Sequence, residues 1–130
     1  METYVLDAHV LAWFLTEDPR LSGKATQILE QAQEARVQAL IPTIVLAEIA
    51  YIAQKKRVPI SIQDVIKRID QGDGFIVVSF DYPVFQLTLQ LHEEWEIHDR
   101  IIAATALYYK AILVTNDQML TVSNKLATIW

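Results

Sequence analysis

Residues 3–15 read T-Y-V-L-D-A-H-V-L-A-W-F-L, a short apolar run that passes through one aspartate into a longer apolar run. The first four residues are typical of a buried β-strand. The stretch after Asp7, from Ala8 to Leu15, is predicted to be helical. A strand followed at once by a helix is the first unit of an alternating α/β order.

The same order continues to the end of the chain. Apolar and β-branched runs predict further strands at 37–41, 75–80, 111–115 and 127–130. Helices are predicted at 22–36, 42–56, 61–71, 83–93, 97–110 and 117–124, with Pro42 in a first turn and Ser61 as an N-cap. Short apolar strands that alternate with longer helices indicate a parallel sheet covered on both faces. We therefore predict an α/β fold, a three-layer α/β/α sandwich around a central parallel sheet of four to five strands.

Length and composition narrow the class of protein. A chain of 130 residues suits one domain, here residues 1–130, and a hydrophobic content of 52% excludes disorder. The absence of cysteine excludes disulfides, thiol catalysis and cysteine-based zinc sites. The N-terminus lacks the pattern of a signal peptide, and no apolar run reaches the roughly 18 residues of a membrane span. We expect a soluble, cytoplasmic protein with no membrane partner.

The net charge of −5 is unusual for a protein that binds nucleic acid, since such proteins carry a basic surface. Neutralising four carboxylates with metal would leave only −1. The net charge therefore argues weakly against a nucleic-acid function and does not exclude it.

Three aspartates occupy places where a helix cap and a functional acid look alike. Asp7 and Asp117 each follow a predicted strand, and Asp99 stands at the start of a predicted helix. Asp is favoured at N-caps and turns, so capping is the simplest role for each residue taken singly.

Glu48 is harder to explain by local structure. On its predicted helix the neighbours three and four positions away are Ile44, Val45, Tyr51 and Ile52, all on its own face. A carboxylate within an apolar stripe needs a partner, and the nearest basic residues come only at the far end of the helix. We interpret Glu48 as a functional acid.

In a parallel sheet the places held by these four acids converge on one edge, where ligands bind. Two carboxylates about 4 Å apart repel by about 4 kcal/mol at an effective dielectric of 20. Four together need cations, and hard oxygen ligands without cysteine favour Mg²⁺ or Mn²⁺. The pattern predicts a metal-dependent hydrolase of nucleic-acid phosphodiesters.

The order of motifs also resembles a known family. A strand ending in Asp7, a Pro-X-X-X-X-X-Glu helix, H-D-R-I-I-A-A-T-A-L from His98 and L-V-T-N-D ending at Asp117 resemble the PIN domains, most closely the VapC-type ribonuclease toxins. The resemblance spans essentially the whole chain and places the family's acids on Asp7, Glu48, Asp99 and Asp117. It implies an Mg²⁺- or Mn²⁺-dependent endoribonuclease that acts on RNA, is usually a homodimer and is silenced by a cognate antitoxin.

Three further residues are candidates for a supporting role. Thr115 matches the small hydroxyl residue that the family often places near its last acid. His9 stands where the family often has Ser or Asn, and it is expected either to contact the acid or phosphate or to face solvent. Arg100 is expected either to reach phosphate or to be an ordinary surface arginine.

Two alternative functions stay open on the sequence alone. One is a binding or regulatory module that keeps the acidic pocket and cleaves nothing. The other is an RNase H-like nuclease, whose acids follow a similar order. That fold begins with consecutive antiparallel strands, which the helix directly after the first strand argues against.

Overall fold

A computed structural model describes residues 1–130 and contains five strands and seven helices. The strands are β1 Thr3–Leu6, β2 Gln38–Pro42, β3 Phe75–Val78, β4 Ile112–Val114 and β5 Thr128–Ile129. The helices are α1 Ala8–Leu15, α2 Gly23–Gln33, α3 Thr43–Gln54, α4 Ile62–Gln71, α5 Tyr82–Thr88, α6 Ile97–Tyr109 and α7 Gln118–Thr121.

All five strands form one parallel sheet in the order β3-β2-β1-β4-β5. The chain moves outward from β1 to β3, crosses back to β4 beside β1, and then moves outward on the other side. Because crossovers between parallel strands are right-handed, reversing the direction places the later helices on the opposite face of the sheet. The predicted α/β/α sandwich with a parallel sheet is confirmed, and the all-parallel pairing excludes the RNase H-like alternative.

The centre of the sheet forms the core of the protein. Val5 and Leu6 of β1 and Leu113 and Val114 of β4 are completely buried, because helices cover both faces. Fully buried positions on the helices, such as Ile49 of α3, pack into the same hydrophobic cluster. Asp7 and Asp117 therefore follow strands that are anchored in the most completely buried part of the molecule.

The first strand and first helix have the predicted bounds, but the middle of the chain differs at several ends. Pro42 is not in the first turn of α3; it is the last residue of β2 and the N-cap of the helix, without a side-chain cap. The third strand ends at Val78 because its partner there is Pro42, where β2 itself ends. The predicted helix at 83–93 is only α5, which begins where the Asp81 side chain accepts the Val84 amide.

No helix is both long enough and apolar enough to cross a bilayer.

Candidate active site

The four acids lie near one another beside the point where the strand order of the sheet reverses, between β1 and β4. β1 and β4 are neighbours in the sheet, yet the chain leaves them toward opposite edges. Ligands of open α/β sheets bind at such a switch point, outside the carboxyl ends of the strands. Asp7 comes directly after β1, and Thr115 and Asp117 follow β4, so all three lie at this crevice.

Asp7, Thr115 and Asp117 are joined by one buried hydroxyl. The Thr115 Oγ1 donates to Asp7 Oδ2 at 3.1 Å and accepts the Asp117 amide at 3.1 Å. Thr115 is only 1% exposed, so water does not compete for these bonds. Asp7 Oδ1 also accepts the Ala8 amide at 2.7 Å. The hydroxyl fixes the loop after β4 against the end of β1.

Asp7 and Asp117 are helix caps and members of the acid cluster at once. Asp7 is the N-cap of α1, and Asp117 caps α7 by accepting the Met119 amide at 2.9 Å. The capping interpretation is therefore correct for both residues, and it does not compete with the functional one. Each cap uses Oδ1, and Thr115 occupies Oδ2 of Asp7.

Asp99 is in the first turn of α6 but is not its cap. Glu96 is the N-cap and accepts the His98 amide at 2.8 Å, so the capping interpretation of Asp99 is wrong. Its carboxylate is left free to face the cluster. Burial, followed by repulsion from Asp117 and Asp7, raises the pKa of Asp99 from 3.8 to about 6.

Glu48 has the least satisfied carboxylate in the protein. Its side chain is 25% exposed, yet its Oε1 is buried and has no hydrogen-bond partner. The nearest basic side chain is that of His98, whose Nδ1 lies 3.9 Å from Oε1. The apolar face of α3 is less uniform than the sequence suggests, since Tyr51 is 50% exposed. Glu48 lies at the border between the core and the crevice.

The charges of neighbouring acids contribute to the pKa values of Asp7 and Glu48. Burial is the main cause of the raised pKa of Asp7, which the bonds from Ala8 and Thr115 partly offset and the charge of Asp117 increases. Burial also raises the pKa of Glu48, and the charge of Asp7 adds to the effect. Such repulsion between half-buried carboxylates is relieved by a cation.

The donors are those of a hard cation, but they do not form a complete chelate. No group of three or more His, Asp or Glu side chains is arranged to hold one ion. Mg²⁺ normally keeps several waters and takes only one or two carboxylates from a protein. The unpaired Oε1 of Glu48 and the free carboxylate of Asp99 suit such a partly hydrated ion in charge and ligand type.

The three supporting candidates differ in their contacts with the acids. Thr115 is in direct contact with Asp7. His9 is exposed and makes no hydrogen bond to Asp7, and its ring lies 5.6 Å from that of Trp13. It is close enough to Asp7 and Glu48 to oppose the rise in their pKa, so a contact with phosphate stays a prediction. Arg100 forms no salt bridge with the acids, and its Nε is buried without a partner. The structure brings Thr115 into the cluster and leaves His9 and Arg100 beside it.

A cleft of about 630 Å³ opens beside Glu48, between α1 and α3. His9, Trp13, Tyr51, Arg57 and His98 are among its lining residues. Tyr51 and Arg57 line this cleft although neither was predicted as a site residue. Tyr51 follows Glu48 by three positions and so shares its helix face, which was a usable signal. Arg57 lies beyond the end of α3 and had no such signal.

The sequence of this α/β sandwich matches a known protein family. The profile of the PIN domain family matches residues 4–123. Ribonuclease VapC22 of Mycobacterium tuberculosis is 30% identical over 122 residues, which cover 92% of this chain and 91% of that protein. This chain belongs to the PIN domain family.

Solved structures with the same fold come from several bacteria. VapBC2 of Rickettsia felis, bound to a promoter DNA fragment, gives a TM-score of 0.74 at 20% identity over 98% of both chains. FitAcB of Neisseria gonorrhoeae gives 0.73 at 20% identity, covering 98% of this chain and 96% of that one. A toxin–antitoxin complex from Klebsiella pneumoniae gives 0.69 at 22% identity with the same coverage.

Proposed function

We propose that this protein is a divalent-metal-dependent endoribonuclease and the toxin of a toxin–antitoxin pair. The observation that carries the proposal is the convergence of Asp7, Glu48, Asp99 and Asp117 on the switch point of a PIN-domain sheet. The similarity to a ribonuclease over 92% of the chain supports RNA as the substrate. The resemblance in fold to toxin–antitoxin complexes supports a cognate antitoxin as the partner.

Asp7, Asp99 and Asp117 would line the site for Mg²⁺ or Mn²⁺, one or two of them in direct contact and the rest through the waters of the ion. Glu48 would be a further ligand or the group that orients the attacking water. The ion supplies Lewis-acid chemistry, namely activation of water and neutralisation of charge on phosphoryl oxygens. The raised pKa values of Asp7, Glu48 and Asp99 mean that their ionised forms are unfavourable in the empty pocket, so a bound cation would stabilise them.

The protein's own groups supply positioning. Thr115 and the Ala8 amide fix both oxygens of Asp7, so this carboxylate is held in one orientation before RNA arrives. The Glu48 side chain is 25% exposed and its carboxylate accepts no hydrogen bond from the protein, so it can accept one from water at the crevice. Preorganised groups of this kind lower the barrier because they need no rearrangement during the reaction.

A homodimer in the cytoplasm is part of the proposal. Tyr82, Phe85 and Leu89 lie on one face of α5 and its C-cap and are 69%, 43% and 70% exposed. The rings of Tyr82 and Phe85 stack at 6.2 Å, so the face is preformed. A contiguous exposed apolar face is typical of a protein–protein contact.

The competing function is a PIN-like module that binds or regulates without cleaving. The two functions differ in what the acids do to RNA. Purified protein with Mn²⁺ should cleave single-stranded or structured RNA, and Asp7→Asn or Asp99→Asn should reduce the rate at least a hundredfold. Asp73→Asn, at an exposed acid in the turn before β3, is the matched control and should cleave as the wild type does. Cleavage by Asp7→Asn at the wild-type rate would refute the assignment, and absence of Mn²⁺ binding would favour the non-catalytic module.

A further inference from the structure

The cleft between α1 and α3 shares a wall with the acid cluster. Glu48 belongs to both, and His9 and His98 border both. At about 630 Å³ the cleft falls within the range of sites that enclose a small organic ligand. A group bound there would lie directly beside any phosphate held at the acids.

Tyr51 is the accessible aromatic surface of this cleft. It follows Glu48 by three residues on α3, about 4.5 Å farther along the helix axis. Its side chain is 50% exposed, whereas Trp13 on the other wall is only 9% exposed and has the Arg20 guanidinium over its ring at 4.7 Å. Tyr51 is therefore the more accessible of the two rings, and Trp13 serves mainly as a wall.

Uncompensated positive charge surrounds the same ring. The Lys55 ammonium lies 5.5 Å and the Arg57 guanidinium 5.7 Å from the centre of the Tyr51 ring. Neither forms a salt bridge, whereas Arg20 is held by Asp18 at 2.8 Å. In a chain with net charge −5, this is a local positive surface at the edge of the acidic crevice.

We propose that Tyr51, with Lys55 and Arg57, forms a nucleotide subsite that holds one base of single-stranded RNA next to the four acids. The base stacks on the Tyr51 ring in place of the Arg57 and Lys55 side chains, which bind the adjoining phosphate instead. The inference rests on the proposed ribonuclease function and adds the residues that recognise the substrate beside the cut. It also explains how a net acidic protein holds RNA, since the contacts to phosphate are gathered at one place.

The combination of groups favours RNA over a peptide. An aromatic face flanked by cations provides stacking and phosphate contacts, the two interactions that bind single strands without reading sequence. The rim of the cleft also has charge opposite to that of a phosphate chain. A duplex would not expose a base face to Tyr51, so the subsite is specific for unpaired nucleotides.

The test measures binding without cleavage. A fluorescently labelled single-stranded RNA decamer is titrated with protein in EDTA, and anisotropy is recorded from 50 to 200 mM salt. Tyr51→Ala should weaken binding about tenfold with little change in salt dependence, because stacking is lost and no charge is removed. Tyr51→Phe should retain wild-type affinity. Arg57→Ala should weaken binding and reduce the slope of log K against log salt by about 1.

Matched controls lie at the other end of the strands, where the strands begin. Tyr108 is 44% exposed at the C-terminal end of α6, and Arg36 is exposed just before β2. Tyr108→Ala and Arg36→Ala should bind RNA as the wild type does. Tyr51 is exposed enough that its truncation should leave the circular dichroism spectrum and melting temperature unchanged.

The outcomes separate this inference from the proposed function. If the wild type cleaves RNA with Mn²⁺, Asp7→Asn does not, and Tyr51→Ala binds RNA normally, the subsite is wrong and the ribonuclease assignment stands. If Tyr51→Ala instead loses only binding to a partner protein, the cleft is a protein-docking surface and the subsite is again wrong. If the wild type neither binds nor cleaves RNA, both proposals fail.

Discussion

The hydroxyl of Thr115 donates a hydrogen bond to the carboxylate of Asp7 across 108 positions of sequence. It also accepts the amide of Asp117, so one side chain joins the two acids that follow β1 and β4. Residues that orient a metal ligand in this way commonly matter nearly as much as the ligand itself.

Removing this hydroxyl should impair the site while leaving the fold intact. Thr115→Val keeps the shape of the side chain but cannot donate to Asp7, so we expect Mn²⁺ affinity and RNA cleavage to fall about 10- to 100-fold. Thr115→Ser keeps the hydroxyl and should stay within about threefold of the wild type. Calorimetry with Mn²⁺ and cleavage rates measure the two effects. Wild-type activity in T115V would show that the bond is only structural.

Burial of Asp99, together with repulsion from the other acids, should make the metal-free protein less stable as pH rises. The folded protein binds a proton at Asp99 with a pKa of about 6, against 3.8 ordinarily, so between these values the folded state holds more protons than the unfolded state. Stability from this group is present below about pH 4 and is lost as pH rises through about 6.

The matching variant is Asp99→Asn, which cannot ionise. In EDTA at pH 7 this variant should have a free energy of unfolding about 1 kcal/mol higher than that of the wild type, because it no longer buries a charge. The difference is smaller than the full pKa shift would give, since Asp99 stays partly solvated. At pH 4 the difference should nearly vanish. Urea unfolding at both pH values measures it, and an equal difference at the two would mean that ionisation of Asp99 is not the cause.

Divalent cations should stabilise the folded protein through the same acids. A ligand that binds only the folded state at 100 times its dissociation constant contributes about 2.7 kcal/mol. We expect Mg²⁺ to raise the melting temperature of the wild type and of Asp73→Asn, and to have little effect on Asp7→Asn. Potassium chloride at matched ionic strength controls for screening. A rise of the same size in Asp7→Asn would place the ion elsewhere.

Gly74 is required by close packing of the backbone before β3. A Cβ at this position would strike the carbonyl oxygens of Ala32 and Val37, and the Gly74 amide already donates to Ala32 at 2.9 Å. Gly74→Ala should therefore lower the free energy of unfolding by about 1–3 kcal/mol. Gly23→Ala, which meets no atom within 4 Å, should be neutral or stabilising by up to about 1 kcal/mol. Equal unfolding curves for the two variants would contradict the packing argument.

Caps show how far local sequence can carry a prediction. Ser61 caps α4 as expected, because the cap depends only on residues within one turn of it. At α6 the predicted start at residue 97 is confirmed, but the cap is Glu96 and not Asp99. Asp is the residue type that caps favour, so the local rule pointed to Asp99 although it lies inside the first turn.

The sequence by itself determined the order of strands and helices and the bounds of β1 and α1, because periodicity and strand-end position are read within a few residues. The same local signals led to the prediction of the four acids. Only the tertiary structure decided that β1 and β4 are neighbours, that Thr115 reaches Asp7, and that Glu48 faces His98 with an unpaired oxygen. Those contacts join segments 50 to 108 residues apart, and no local propensity encodes them. Packing of the sheet and helices around one core brings them together.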